Sequence, residues 1–110
     1  MFTYRGSTAL VTGASKGLGE VFAEQLAARG MNLVLVARSL DALEGLAKRL
    51  SDQYGVHCVA LDADLADPGV AHRIAAELER RGIEVDLLVN NAGLGLSGNF
   101  LSHELRQEQG

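Results

Sequence analysis

The stretch Thr12-Gly13-Ala14-Ser15-Lys16-Gly17-Leu18-Gly19 decides the fold, because it stands between a short apolar run, Ala9-Leu10-Val11, and a helical pattern. Its three glycines have separate jobs. Gly13 permits a backbone path that a side chain would block, Gly17 lets main-chain amides approach phosphate oxygens, and Gly19 lets a helix pack close to the strand. The unpaired N–H groups and positive dipole end of that helix then face an anion, the arrangement that holds a dinucleotide pyrophosphate. A glycine cluster alone also serves as a ligand-free connection, so the remaining sequence has to decide. A P-loop is the nearest rival, but Lys16 precedes Gly17 and the Gly-Lys-Ser/Thr it needs is absent.

Working outward, apolar runs alternate with helical stripes: strand, helix, strand, helix, strand, helix, strand. Thr8 to Thr12 makes the first strand. The first helix runs from Gly17 to Arg29, with Leu18, Phe22 and Leu26 expected on its buried face and Gly30 as its stop. Leu33 to Ala37 is apolar without alternation, the mark of a parallel strand covered on both faces. Ser39 or Asp41 caps the next helix, where Leu43, Leu46 and Leu50 sit at helical spacing before Gly55. His57 to Leu61 is the third strand. Asp67 is expected to cap a helix opening at Pro68 with Val70, Ile74 and Leu78 buried up to Gly82, and Val85 to Val89 is the fourth strand.

With right-handed crossovers these elements give an α/β fold, a Rossmann-like doubly wound parallel sheet truncated after the fourth strand, in the order 3-2-1-4. Residues 1–93 form the dinucleotide-binding βαβαβαβ unit, and residues 94–110 are expected to be a severed loop and the start of a helix. The crevice of such a sheet lies where strand order reverses, at the carboxyl ends of strands one and four. The glycine turn ends strand one and Asn90-Asn91-Ala92-Gly93 ends strand four, so both motifs converge on one crevice.

Composition excludes several alternatives. The chain has 110 residues, 47% hydrophobic and 22% charged, which suits one globular domain. A net charge of -4 with scattered basic residues argues against a nucleic-acid partner. A lone Cys58 precludes an internal disulfide and reads as a small core hydrophobe in a reducing, cytoplasmic protein. His57, His72 and His103 lack ligand-like spacing, so no metal site is expected. No apolar stretch is long enough to cross a membrane, and no signal-peptide core opens the chain.

The end of strand two selects between cofactors: a carboxylate accepts the ribose 2′-hydroxyl of NAD, whereas a cation accommodates the 2′-phosphate of NADP. Here the residue is Arg38, 19 positions beyond Gly19, with Lys16 as a second positive charge; NADP is favoured over NAD. Asp62 and Asp64 end strand three, either as loop carboxylates or with one accepting from the adenine amine. Asp64 is preferred because Leu65 follows it and would pack beside the ring. Neither Tyr4 nor Tyr54 has a lysine four residues on, so the chain holds no Tyr-x-x-x-Lys pair, in which an ammonium lowers the phenol pKa for proton transfer.

With the strand-one turn, Arg38, Asp64 and Asn90-Asn91-Ala92-Gly93 in place, the chain resembles the short-chain dehydrogenase/reductase family, in particular its NADP-preferring main branch. The resemblance implies that Gly13, Ser15, Lys16, Gly17, Leu18 and Gly19 line the pyrophosphate and ribose and that Arg38 meets the 2′-phosphate. It also implies that Asp64 and Leu65 hold adenine, while Asn90, Ala92 and Gly93 border the nicotinamide-side ribose. The family's catalytic Asn, Ser, Tyr and Lys have no counterpart here, so no catalytic residue is carried over. The expected role is the N-terminal, NADP-binding part of an oxidoreductase moving hydride between NADP(H) and a small carbonyl or alcohol, inactive by itself. The alternative is a non-catalytic nucleotide-binding or interaction module. It would self-associate through the open fourth-strand edge or meet a complementing chain.

Overall fold

The computed structural model describes residues 3–15 and 17–91. They form β1 (Thr8–Thr12), α1 (Gly17–Ala28), β2 (Asn32–Ala37), α2 (Leu40–Tyr54), β3 (Cys58–Asp62), α3 (Val70–Arg80) and β4 (Leu87–Asn90). The sheet is parallel in the order β3-β2-β1-β4, the expected doubly wound arrangement. Register pairs Thr12 with Val36 on one side and with Asn90 on the other, so the three strand ends finish level.

The central strands are buried on both faces, and the two faces have separate cores. Ala9, Val11, Leu33 and Leu35 pack with Ala23, Leu26, Leu43, Leu46 and Leu50 under α1 and α2. Leu10, Val34 and Val36 pack with Val70, Ile74 and Leu78 under α3. The uninterrupted apolar run of β2 thus feeds both layers, which is why it shows no alternation.

Helix α1 departs from the expected stripe. Its buried residues are Gly19, Ala23, Leu26 and Ala27, whereas Leu18 is 62% exposed and Phe22 is 38% exposed. The helix lies so close to β1 that small residues take the inner face, and the larger apolar groups turn outward. The third helix departs at its start. It opens at Val70 behind Gly69, with no side-chain cap, and Asp67 instead pairs with Arg73 at 2.8 Å. Residues 65–69 form turns in which the Asp67 carbonyl accepts from the Val70 amide.

For α2 the choice of cap is settled: Ser39 Oγ accepts from the Ala42 amide at 3.4 Å, and Gly55 closes the helix in the left-handed region at φ 70°. Strand β3 begins one residue later than expected, although the His57 carbonyl still bonds the Leu33 amide. Strand β4 begins two residues later and takes in Asn90, because Asp86 is the anchor: its amide donates to the Thr8 carbonyl and its carboxylate accepts from the Thr8 amide. The expected loop and helix start at 94–110 lie outside the described residues.

Candidate nucleotide-binding site

The glycine turn leaves β1 at Thr12 and enters α1 at Gly17. Gly13 and Gly17 have φ of 63° and 64°, a region that side chains disfavour, so the path of the turn depends on both. Gly19 serves contact instead: a Cβ there would collide with the Gly13 carbonyl oxygen and come within 3.0 Å of Asn91 Nδ2. By contrast, a Cβ on Gly17 would meet nothing within 4 Å among the described residues, so none of them crowds the helix start at that position. The Ala14 amide donates to the Val36 carbonyl and ties the turn to β2.

Thr12 is the polar residue of this buried sheet end, 1% exposed. Its hydroxyl donates to Asn90 Oδ1 at 2.9 Å and accepts from the Asn91 amide at 2.8 Å. The start of the phosphate turn and the end of β4 are therefore one hydrogen-bonded unit. The motif reading gave Thr12 no role. The available signal was a hydroxyl closing a strand whose other residues are mostly apolar, since such a group, once buried, has to find partners.

Beside this unit, Arg38 follows β2 and is exposed, and Asp64 follows β3 and is exposed. The Ala63 amide donates to the Ala37 carbonyl at 2.9 Å, so the two loop starts are held side by side. Asp64 Oδ1 accepts from the Ala66 amide at 3.0 Å, which fixes the carboxylate in a tight turn. Leu65 is buried with the α3 core. Ser15 is half-buried in the turn and Leu18 stands out from the first turn of α1. Lys16, Ala92 and Gly93 lie outside the described residues.

This geometry fits a pyrophosphate: an open helix N-terminus, two glycines with left-handed backbone, and small residues around them. The cradle is a surface shelf. Two cavities, of about 450 and 470 Å³, lie elsewhere, along the outer edge of β3 and at the amino ends of the strands. The shelf suits such a ligand, because a helix start and sheet crevice bind phosphate groups by backbone donors and do not need an enclosed hole. No cluster of metal-ligating side chains occurs among the described residues. Cys58 is half-buried, and desolvation pushes its thiol pKa up to about 11, consistent with packing more than chemistry.

The chain is similar to known proteins along most of its length. Residues 7–109 match the profile of the short chain dehydrogenase family. The very-long-chain 3-oxoacyl-CoA reductase of Anas platyrhynchos is 41% identical over 93 residues, 84% of this chain and 29% of that protein. The oxidoreductase UcpA of Salmonella typhimurium is 43% identical over 96 residues, 87% of this chain and 36% of its own. Among solved structures, a short-chain dehydrogenase from Sphingobium yanoikuyae in complex with NADPH superposes with a TM-score of 0.71 at 44% identity, over 80% of this chain and 34% of that one. The L-sorbose reductase from Gluconobacter frateurii, complexed with NADPH and L-sorbose, superposes with a TM-score of 0.79 at 27% identity, over 94% and 46%. The chain thus spans about a third of the length of these curated relatives. By its profile match across nearly the whole chain, this protein belongs to the short-chain dehydrogenase family.

Proposed function

We propose that this chain is the cofactor-binding part of an NADP-dependent reductase that moves hydride between NADP(H) and a small carbonyl or alcohol. The observation that carries the reading is the open glycine turn hydrogen-bonded through Thr12 to Asn90 and Asn91 at the point where strand order reverses. Main-chain amides of Gly17, Leu18 and Gly19 receive the pyrophosphate, Ser15 borders it, and Asn90, Ala92 and Gly93 border the nicotinamide-side ribose. Arg38 and Lys16 select the 2′-phosphate, while Asp64 and Leu65 border adenine. The NADPH complexes of the related structures support this choice. When bound, NADPH supplies the hydride; the chain's residues hold and orient it. The single half-buried cysteine suits a reducing compartment, in keeping with the cytoplasm, and no described helix is long and apolar enough to cross a membrane. The test is titration of the purified chain with NADPH and NADH, read by melting temperature and cofactor fluorescence. NADPH is expected to bind and NADH to bind more weakly; absence of binding by either overturns the reading.

A second reading is favoured by one observation. Leu18, Val21 and Phe22 are exposed on α1, the helix that covers β1, and β4 has no strand on its far side among the described residues. An exposed apolar helix face and a strand edge left without a partner among the described residues each accept further chain, so a complementing segment is a partner this chain suits.

A further inference from the structure

The opposite edge of the sheet carries a different feature. Among the described residues β3 pairs only with β2, and the cavity of about 450 Å³ runs along its outer side. Leu40 and Glu44 of α2 line it, as do Arg73, Glu77 and Arg81 of α3, with Leu61 at its floor. The His57 carbonyl accepts from Leu33 and the Ala63 amide donates to Ala37, so the odd-numbered residues of β3 turn their backbone groups inward. Cys58, Ala60 and Asp62 therefore turn theirs outward, as a parallel ladder requires. The strand reads Cys-Val-Ala-Leu-Asp, with no proline, lysine or bulge to guard it, and its first four residues are half-buried.

We infer that this edge is an interface for a second copy of the chain, joined by antiparallel β3–β3 pairing about a two-fold axis at Ala60. The register follows from self-complementarity. Centred on Ala60, all five residues of β3 find a partner: Ala60 faces Ala60, Cys58 faces Asp62, and Val59 faces Leu61. The smallest side chain of the strand sits on the axis, where each copy faces its own counterpart. Val59 and Leu61 meet as an apolar cross-strand pair on the α3 side, the face on which Leu61 packs. The same register keeps the two Asp62 carboxylates at opposite ends of the strand pair, roughly 13 Å apart along it at the usual rise per residue. A shift centred on Leu61 would halve that separation to roughly 7 Å.

Charge on the groove walls agrees. As a crossover helix, α3 runs back from the carboxyl to the amino end of the sheet, which places Arg81 at the Cys58 end of the groove. Glu77 is shared there between Arg80 and Arg81, leaving one net positive charge. In the pair, the Asp62 of each copy comes to that end of the other. Attraction across the two-fold axis thus reinforces the register.

The inference is independent of cofactor binding. Its test is sedimentation over a concentration series, together with disulfide trapping in a Cys58→Ala background, where no native thiol competes. Ala60→Cys is expected to cross-link into a dimer on mild oxidation, because a facing hydrogen-bonded pair brings Cα atoms to about 5.5 Å. Asp62→Cys is expected to remain uncross-linked. Ala60→Pro removes an outward N–H at an edge position and is expected to give a monomer with the NADPH-induced melting shift retained. A wild-type chain that stays monomeric at all concentrations overturns the inference, as does association unchanged in Ala60→Pro or equal cross-linking at positions 60 and 62.

Discussion

Thr12 Oγ1 accepts a hydrogen bond from the Asn91 amide at 2.8 Å, a contact between residues 79 apart in sequence that joins the phosphate turn to the end of β4. Because the same hydroxyl donates to Asn90 Oδ1, replacing it strands two partners in a sheet end from which water is largely excluded. Thr12→Val keeps the shape and removes both bonds. Destabilisation of about 1–3 kcal/mol is expected from denaturant melts, with Thr12→Ser recovering most of it. Equal stability of Thr12→Val and wild type would show that the link is dispensable.

Gly19 is the tightest point of the site, since a methyl group there meets the Gly13 carbonyl, which is backbone and has little room to yield. Gly19→Ala is expected to push α1 away from the turn and cost about 1–3 kcal/mol, the range for overpacking. Loss of the NADPH-induced melting shift should accompany it. Gly17→Ala separates space from backbone conformation: it has room, so its effect comes from the left-handed φ alone and should be smaller in stability.

Arg38 stands exposed at the end of β2, adjacent to the held start of the Asp64 loop. A charge-assisted pair with phosphate contributes about 1.5–3 kcal/mol, so Arg38→Asp should weaken NADPH binding by about one to two orders of magnitude. The introduced carboxylate should improve NADH binding, reversing the order of the two cofactors in calorimetric titration. A Lys16→Ala variant should weaken NADPH and leave NADH nearly unchanged.

On α3, hydrogen bonds from Arg80 and then from Arg81 hold the Glu77 carboxyl at about 2, below its ordinary 4.5. The folded state therefore favours the ionised form, and the stabilisation is complete above the unfolded value and lost as pH falls from 4.5 through 2. Chemical denaturation midpoints of wild type should drop across that window more steeply than those of Glu77→Gln. Since these groups face solvent, added salt should shrink the difference.

The amino-acid sequence alone determined the sheet order, the glycine turn and the two-faced burial of β2, because these follow from local rules: glycine spacing, uninterrupted apolar runs and right-handed crossovers. It also marked Gly55 as a helix stop and narrowed the α2 cap to Ser39 or Asp41. Tertiary structure decided the rest. Leu18 and Phe22 looked like a core stripe, yet close approach of α1 to β1 gave the inner face to Gly19 and Ala23. Asp67 looked like a cap, yet Arg73 one turn into α3 captured its carboxylate. The bonding of Thr12 to Asn90 and Asn91 depends on the register of strands separated by two other strands in the chain, and periodicity carries no information about register between distant segments.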